Sequence, residues 1–287
     1  MERRIALALS TLLLGLLAAC GGGGEEEDNS RRSVVTAFYP LTFVATAVAG
    51  DEADVSSITP AGVEPHDIEL TAAQVRRISE ADLLVYIGQG FQPAVDELVP
   101  EVANTLDVLT VRPPGARVND PHIWLDPILM VGITDTVADA LSKVDPDNAR
   151  TYRRNADELI DQINDLDDDF SNGLSRCDRR TIVTSHESFG HLADRFNLEQ
   201  VGIAGIDPEQ EPSARRLNEV KEVVEDNDIT TIFFETLLPE DLADTVAEET
   251  GAETAVLDPL ESPPETGDYI SAMRANLSAL RAAMGCR

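Results

Sequence analysis

Positive charge is what this sequence lacks most. Its 287 residues carry 22 Lys and Arg against 53 Asp and Glu, a formal net charge of -31, and nearly all of the basic residues are Arg. A field of that sign repels nucleic acid and attracts cations, which excludes polyanion binding as a role. By itself the acidic excess describes a solvated surface and names no function. Histidine is scarce at four residues and cysteine at three. Long apolar runs are scarcer still, since only the N-terminal segment Ile5–Leu17 qualifies. It is too short to span a bilayer comfortably as a mature helix and fits an export signal behind Arg3 and Arg4.

The residues just after that segment are more specific. Leu17-Ala18-Ala19-Cys20 resembles the bacterial lipobox, in which Cys20 is lipidated and becomes the new N-terminus. Residues 21–32, with the run Gly21–Gly24 and the acids Glu25–Asp28, read as a flexible charged tether. The mature protein is therefore expected outside the bacterial cytoplasm, anchored by lipid to the outer face of the membrane. Outside the cytoplasm the remaining pair, Cys177 and Cys286, is expected to be bridged.

The chain is organised around a long amphipathic run. Asp145-Pro146 supplies a capping oxygen and a proline for a first helical turn. Tyr152, Ala156, Leu159, Ile163, Leu166, Phe170 and Leu174 then recur every three or four residues among charges, and Gly173 marks the stop. Such a helix reaches roughly 40 Å, the span of a small domain, and reads as a spine between two domains. The expected organisation is an N-terminal lobe at 33–144, a linking helix at 145–175 and a C-terminal lobe at 176–287.

Both flanks carry alternating strands and helices, which argues for parallel sheets covered on both faces. In the first half the pattern predicts strands at Ser33–Tyr39, Val55–Thr59, Leu83–Ile87 and Val108–Val111. Helices are predicted at Leu41–Ala49, Thr71–Glu80 and Phe91–Ala103. In the second half it predicts strands at Thr181–Ser185, Val201–Ala204, Thr231–Phe234 and Thr254–Leu257. The helices there begin in SHESFGHLADRF and at Pro212, Pro239 and Tyr269.

Ligands of such sheets bind beyond the carboxyl ends of strands. His66 follows the second strand, His122 the fourth and His186 the fifth, while Glu235 and Asp258 end two later strands. Three imidazoles and a carboxylate are a ligand set for a divalent first-row metal and suit zinc well. His186, Glu187 and His191 miss the zinc-protease spacing H-E-x-x-H by one residue. Five positions on a helix diverge by roughly 140°, so the two His cannot share a metal there. His191 is expected to pack or to support a ligand from behind. Ser185 lies in no G-x-S-x-G elbow, which removes a serine-nucleophile reading.

Taken in order, GVEPHDIE, DPHIWLDP, SHESFGHLADRFNL, FFET and VLDPLE resemble the lipoprotein substrate-binding subunits of zinc and manganese ABC transporters, the ZnuA/TroA-like group. The resemblance runs from about Ser33 to the C-terminus. It implies an α/β fold of two Rossmann-like lobes with parallel sheets joined by a single long rigid helix. It further implies a metal held by His66, His122, His186 and Asp258, with Glu64 as an alternative carboxylate and Glu235 orienting a ligand His. A His at the third position accompanies zinc in many members, and a Glu there accompanies manganese, so Zn2+ is the expected cargo and Mn2+ the alternative. Arg112–Asn119 lacks the His-rich loop that many zinc members carry, and His191 stands where Tyr is usual.

Four protein ligands leave no position for an activated water, so the site is expected to bind without catalysing. The expected role is a monomeric binding protein that hands its ion to a membrane permease. The alternatives are a secreted metallohydrolase, which needs an open coordination position, and an adhesin or surface-interaction lipoprotein, whose partner binding would survive loss of the three His.

Overall fold

The computed structural model describes residues 31–287 apart from position 115. The signal, the lipobox Cys20 and the tether up to residue 30 lie outside the described residues. In the first half, β1 (Arg32–Thr36), β2 (Ala53–Ser57), β3 (Leu83–Tyr86) and β4 (Thr105–Asp107) alternate with α1 (Tyr39–Ala49), α2 (Ala72–Ser79) and α3 (Pro93–Asp96). Then come α4 (Pro127–Val144) and α5 (Ala149–Gly173). The second half contains β5 (Thr181–Thr184), α6 (Gly190–Arg195), β6 (Glu199–Gly202), α7 (Ala214–Asp226), β7 (Thr231–Phe234), α8 (Asp241–Thr250), β8 (Glu253–Val256) and α9 (Tyr269–Met284).

Each half builds one four-stranded, all-parallel sheet, ordered β2-β1-β3-β4 and β6-β5-β7-β8. The two orders are the same topology, so the carboxyl ends of all strands in a half open on one edge. Local chemistry sets the helix starts. Thr71 and Gln74 form a capping box on α2, Ser213 caps α7, and Asp268 and Ser271 box α9. Each such cap contributes about 1 kcal/mol.

The spine α5 is a helix of 25 residues preceded by a 3-10 turn at Pro146–Asn148. Asp145 does not cap it; its carboxylate accepts from the Tyr152 hydroxyl at 2.5 Å and from Asn148 at 2.9 Å. The whole expected stripe from Tyr152 to Leu174 is buried. Each half has a smaller cluster of its own, around Val35 and Leu84 in the first and Val183 and Ile232 in the second, and a larger cluster is common to both. One cluster of buried side chains runs from Val34, Phe38 and Leu41 past Ile163 and Phe170 to Phe189, Tyr269 and Met273. Helices α1, α4 and α9 all pack on α5, so the spine is the shared floor of both halves. Truncating a buried aromatic such as Phe170 to Ala costs about 3–5 kcal/mol.

Other expectations need correcting. Val108–Val111 forms a 3-10 turn, with the strand three residues earlier at Thr105–Asp107. Phe91–Ala103 breaks into α3 and a 3-10 turn at Val99–Glu101. The 18-residue α4 was not expected; Asp126 caps it by accepting from Ile128 N–H at 2.8 Å. Cys177 and Cys286 are bonded, joining the end of the spine to the C-terminus across 109 residues. Among the described residues no helix is long and apolar enough to cross a membrane.

Candidate metal centre

Three imidazoles and one carboxylate meet where the two sheet edges face each other. His66, His122, His186 and Glu261 each offer an atom lying within 4.8 Å of the others. His186 Nε2 is 3.3 Å from His122 Nε2, and Glu261 Oε1 is 3.4 Å from both His66 Nε2 and His122 Nε2. A tetrahedral zinc with bonds of 2.0–2.1 Å separates its ligand atoms by roughly 3.3 Å. Three edges of the set thus have the length that zinc requires, and the widest must contract for the ion to seat.

Burial supports the same assignment. The side chains of His122 and His186 are 0% exposed and Glu261 is 1% exposed, whereas His66 retains 11%. His66 Nε2 and Glu261 Oε1 are buried without a well-directed hydrogen-bond partner. Leaving such atoms unsatisfied costs about 1–3 kcal/mol each, a deficit that a shared cation removes. The donor set therefore fits the ion that its chemistry suggests.

Two ligands are oriented from behind by carboxylates. His122 Nδ1–H donates to Asp120 Oδ1 at 2.8 Å, and Asp120 also accepts from the His122 backbone N–H at 3.0 Å. Glu235 Oε1 accepts from the His186 backbone N–H at 3.2 Å, and its Oε2 lies 2.6 Å from His186 Nδ1. That second approach is close but poorly directed, and both atoms lack a well-aligned hydrogen bond. In each case a carboxylate at Nδ1 leaves Nε2 free to face the metal. Glu235 thus lies directly behind the His186 ring. Asp120 went unremarked in the sequence, although its place two residues before His122 in NDPH was the available signal.

The expected carboxylate ligand, Asp258, is not in the cluster. Its Oδ1 accepts from Leu260 N–H at 2.8 Å, and its Oδ2 is 3.4 Å from the Thr236 hydroxyl. These bonds close a turn in which Leu260 takes the left-handed φ of 60°. The turn swings Glu261, three residues beyond Asp258, into the cleft. Trp124 holds it there from the other half, donating its indole N–H to the Pro259 carbonyl at 2.6 Å. Glu64 does not join either; its Oε1 accepts from the His66 backbone N–H at 3.1 Å.

Charge separates the two candidate acids. Burial raises the Glu261 carboxyl, but the close imidazoles of His122 and His66, each 3.4 Å away, outweigh it and hold the group far below the usual carboxylate range. Burial and the charge of Glu261 push the Glu64 carboxyl up. Burial also lowers His122, yet the hydrogen bond to Asp120 and the nearby charge of Glu261 prevail and raise it to about 9. His191 lies behind this group, its Nε2–H donating to the Asp120 carbonyl at 3.0 Å, and takes no part in the cluster.

A family model described as zinc-uptake complex component A, periplasmic (ZnuA), matches residues 34–283. The chain is 36% identical over 279 residues to the zinc-binding lipoprotein AdcA of Streptococcus pneumoniae, covering 87% of this chain and 55% of that protein. It therefore spans about half the length of those streptococcal relatives. It is 33% identical over 274 residues to the high-affinity zinc uptake system protein ZnuA of Bacillus subtilis, covering 86% of each. Among solved structures, the laminin-binding protein Lmb of Streptococcus agalactiae, titled a bifunctional protein with adhesin and metal transporting activity, aligns with a TM-score of 0.83 at 33% identity over 88% of this chain and 99% of that one. The Zn(II)-bound ZnuA-like domain of S. pneumoniae AdcA aligns with a TM-score of 0.77 at 36% identity, over 89% and 99%. The fold, the cluster at the sheet edges and a match over nearly all of the described chain agree: this protein belongs to the ZnuA family of zinc-uptake components.

Proposed function

We propose that this protein captures one divalent zinc ion between its two halves, using His66, His122, His186 and Glu261, and delivers it to a membrane ABC permease. The observation that carries this reading is the buried set of three imidazoles and one ionised carboxylate, three of whose edges match a zinc tetrahedron. Soft-to-borderline nitrogen donors favour zinc, whereas manganese prefers a set richer in oxygen. Four protein ligands close the coordination shell, so the bound ion activates no water and the site stores its cargo instead of using it.

The chain's own residues do the rest. Asp120 and Glu235 fix two rings with Nε2 toward the ion, and Glu261 neutralises part of the ion's charge. Delivery requires the ligands of the two halves to part, since His66 and His122 come from one and His186 and Glu261 from the other. Lipidation at Cys20 would hold the protein at the outer face of the membrane, where the permease lies. The names of the relatives, zinc-binding lipoprotein and zinc uptake protein, support this placement.

The test is competitive loading of metal-stripped protein lacking residues 1–20, read by elemental analysis after dialysis. One retained zinc per chain, with manganese displaced, is the expected result. Manganese retained against zinc would reverse the choice of ion, and retention of neither would refute capture.

A further inference from the structure

His191 serves no role in the ligand set, yet it is 5% exposed and points across the cleft. It lies on α6, whose residues 190, 191 and 194 share one face. That face meets the segment of the other half that carries His122. A Cβ on Gly190 would collide with Asp120 Oδ2 and lie 3.0 Å from Arg117 Nη1, so a side chain there would force the Asp120 carboxylate to shift. His191 donates to the Asp120 carbonyl at 3.0 Å. Asp194 accepts two hydrogen bonds from Arg117, from Nε at 2.7 Å and Nη2 at 2.9 Å.

The platform is itself fixed. Arg195, the next residue, pairs through two bonds of 2.8 and 2.6 Å with Asp167 on the spine. On the opposite side, Arg112 braces the same segment by donating to the carbonyls of Arg117 and Val118 at 3.2 and 2.8 Å. The Asp120 carbonyl is thus held by His191 from one half and the strip before it by Arg112 from the other, and the Asp120 carboxylate orients His122.

We propose that the Gly190–His191–Asp194 face of α6 is a cross-cleft cradle that positions His122 through Asp120, with Arg117–Asp194 as its clasp. This rests on the ligand set proposed above and adds to it a coupling between the halves. His122 belongs to the N-terminal half, but its orientation is completed by the C-terminal half. Parting of the halves breaks the His191 and Arg117 bonds together and releases the Asp120 backbone, so the Asp120–His122 unit loses its outer support as the cleft opens. His191, Asp194 and Arg117 are positioning residues, since none touches the ion.

Zinc affinity by chelator competition, in a double-mutant cycle, tests this. His191→Ala should weaken zinc about tenfold, the lower end of what loss of a ligand's support produces. His191→Gln, whose amide can still donate to the Asp120 carbonyl, should restore most of the affinity. Arg117→Ala, at an exposed pair, should cost about threefold. The charge-swapped R117D/D194R should recover that loss. In a His122→Ala background the effect of His191→Ala should vanish, while in a His66→Ala background it should persist. Equal losses in both backgrounds would mean general destabilisation and overturn the proposal, as would full affinity in His191→Ala. Wild-type protein that holds zinc while the variants fail to show the coupling refutes the cradle alone. Wild-type protein that holds no zinc refutes the proposed function and the cradle with it.

Discussion

The three histidines of the centre are not equivalent arms. His122 and His186 are wholly buried and each has a carboxylate behind its Nδ1, Asp120 and Glu235 respectively. His66 keeps 11% of its side chain exposed and sits in an irregular loop between β2 and α2. Its neighbouring acid, Glu64, holds the backbone N–H instead of the ring. In the proposed site two imidazoles are thus set in place before metal arrives, and the third would be set by the ion and by Glu261. A site built this way combines orientation, which gives affinity, with one ligand free to adjust, which permits entry and exit.

The contrast is broken most forcefully by removing the arms one at a time. His122→Ala and His186→Ala should each weaken zinc roughly a hundredfold or more, because a zinc site distributes some 10–16 kcal/mol over few ligands. His66→Ala should cost less, about tenfold, for the arm with the least preorganisation. Isothermal titration or chelator competition decides the order. Equal losses at all three would erase the distinction.

Removing the supports should give the next largest effect. Asp120→Asn and Glu235→Gln are each expected to lower affinity about 10- to 100-fold while every ligand remains. Glu64→Gln should change it little, since that group lies outside the cluster and accepts from the His66 backbone N–H instead. A large loss in Glu64→Gln would bring that acid back as a ligand.

Acidity sharpens the comparison more gently. His122 is raised to about 9 in the metal-free fold, above the ordinary histidine value of about 6.5. Zinc must displace that proton, so affinity should climb with pH up to about 9, about tenfold per unit, and not level off near 7. Stability of the metal-free protein runs the other way. A group raised on folding stabilises fully below its unfolded value and loses that contribution as pH rises through its folded one. The loss here is of order 3 kcal/mol between about pH 6.5 and 9. Thermal melts should therefore show the metal-free Tm falling over that window while the gain from added zinc grows. A metal-free Tm that rises instead would contradict the assignment of His122.

The parts of the molecule written in local periodicity were legible from sequence. The stripe from Tyr152 to Leu174 and the strand-then-helix alternation follow from spacing, and the closing helix Tyr269–Met284 from spacing and its cap. So was the edge on which His66, His122 and His186 gather, because strand ends locate binding loops. That rule finds the loop but not the residue within it. It selected Asp258 at the end of β8, whereas the turn through Pro259 and Leu260, held by Trp124 from 135 positions away, delivers Glu261. Nothing local announces that tie. Helix α4 was hidden for a different reason: its Val, Ile and Thr residues and Gly132 lower helix propensity, and packing on α5 overrides that preference. The shared core was hidden likewise, since a polar helix with one apolar stripe looks the same whether one half or both cover it.

The most direct test of the three-histidine, one-glutamate centre sets Glu261→Gln beside Asp258→Asn and measures zinc retained per chain after dialysis. With Glu261 as the fourth ligand, the Asp258→Asn protein keeps one zinc and the Glu261→Gln protein, its buried charge gone but its shape preserved, loses it. Retention by Glu261→Gln together with loss by Asp258→Asn would contradict that assignment and return the metal to the strand-end aspartate.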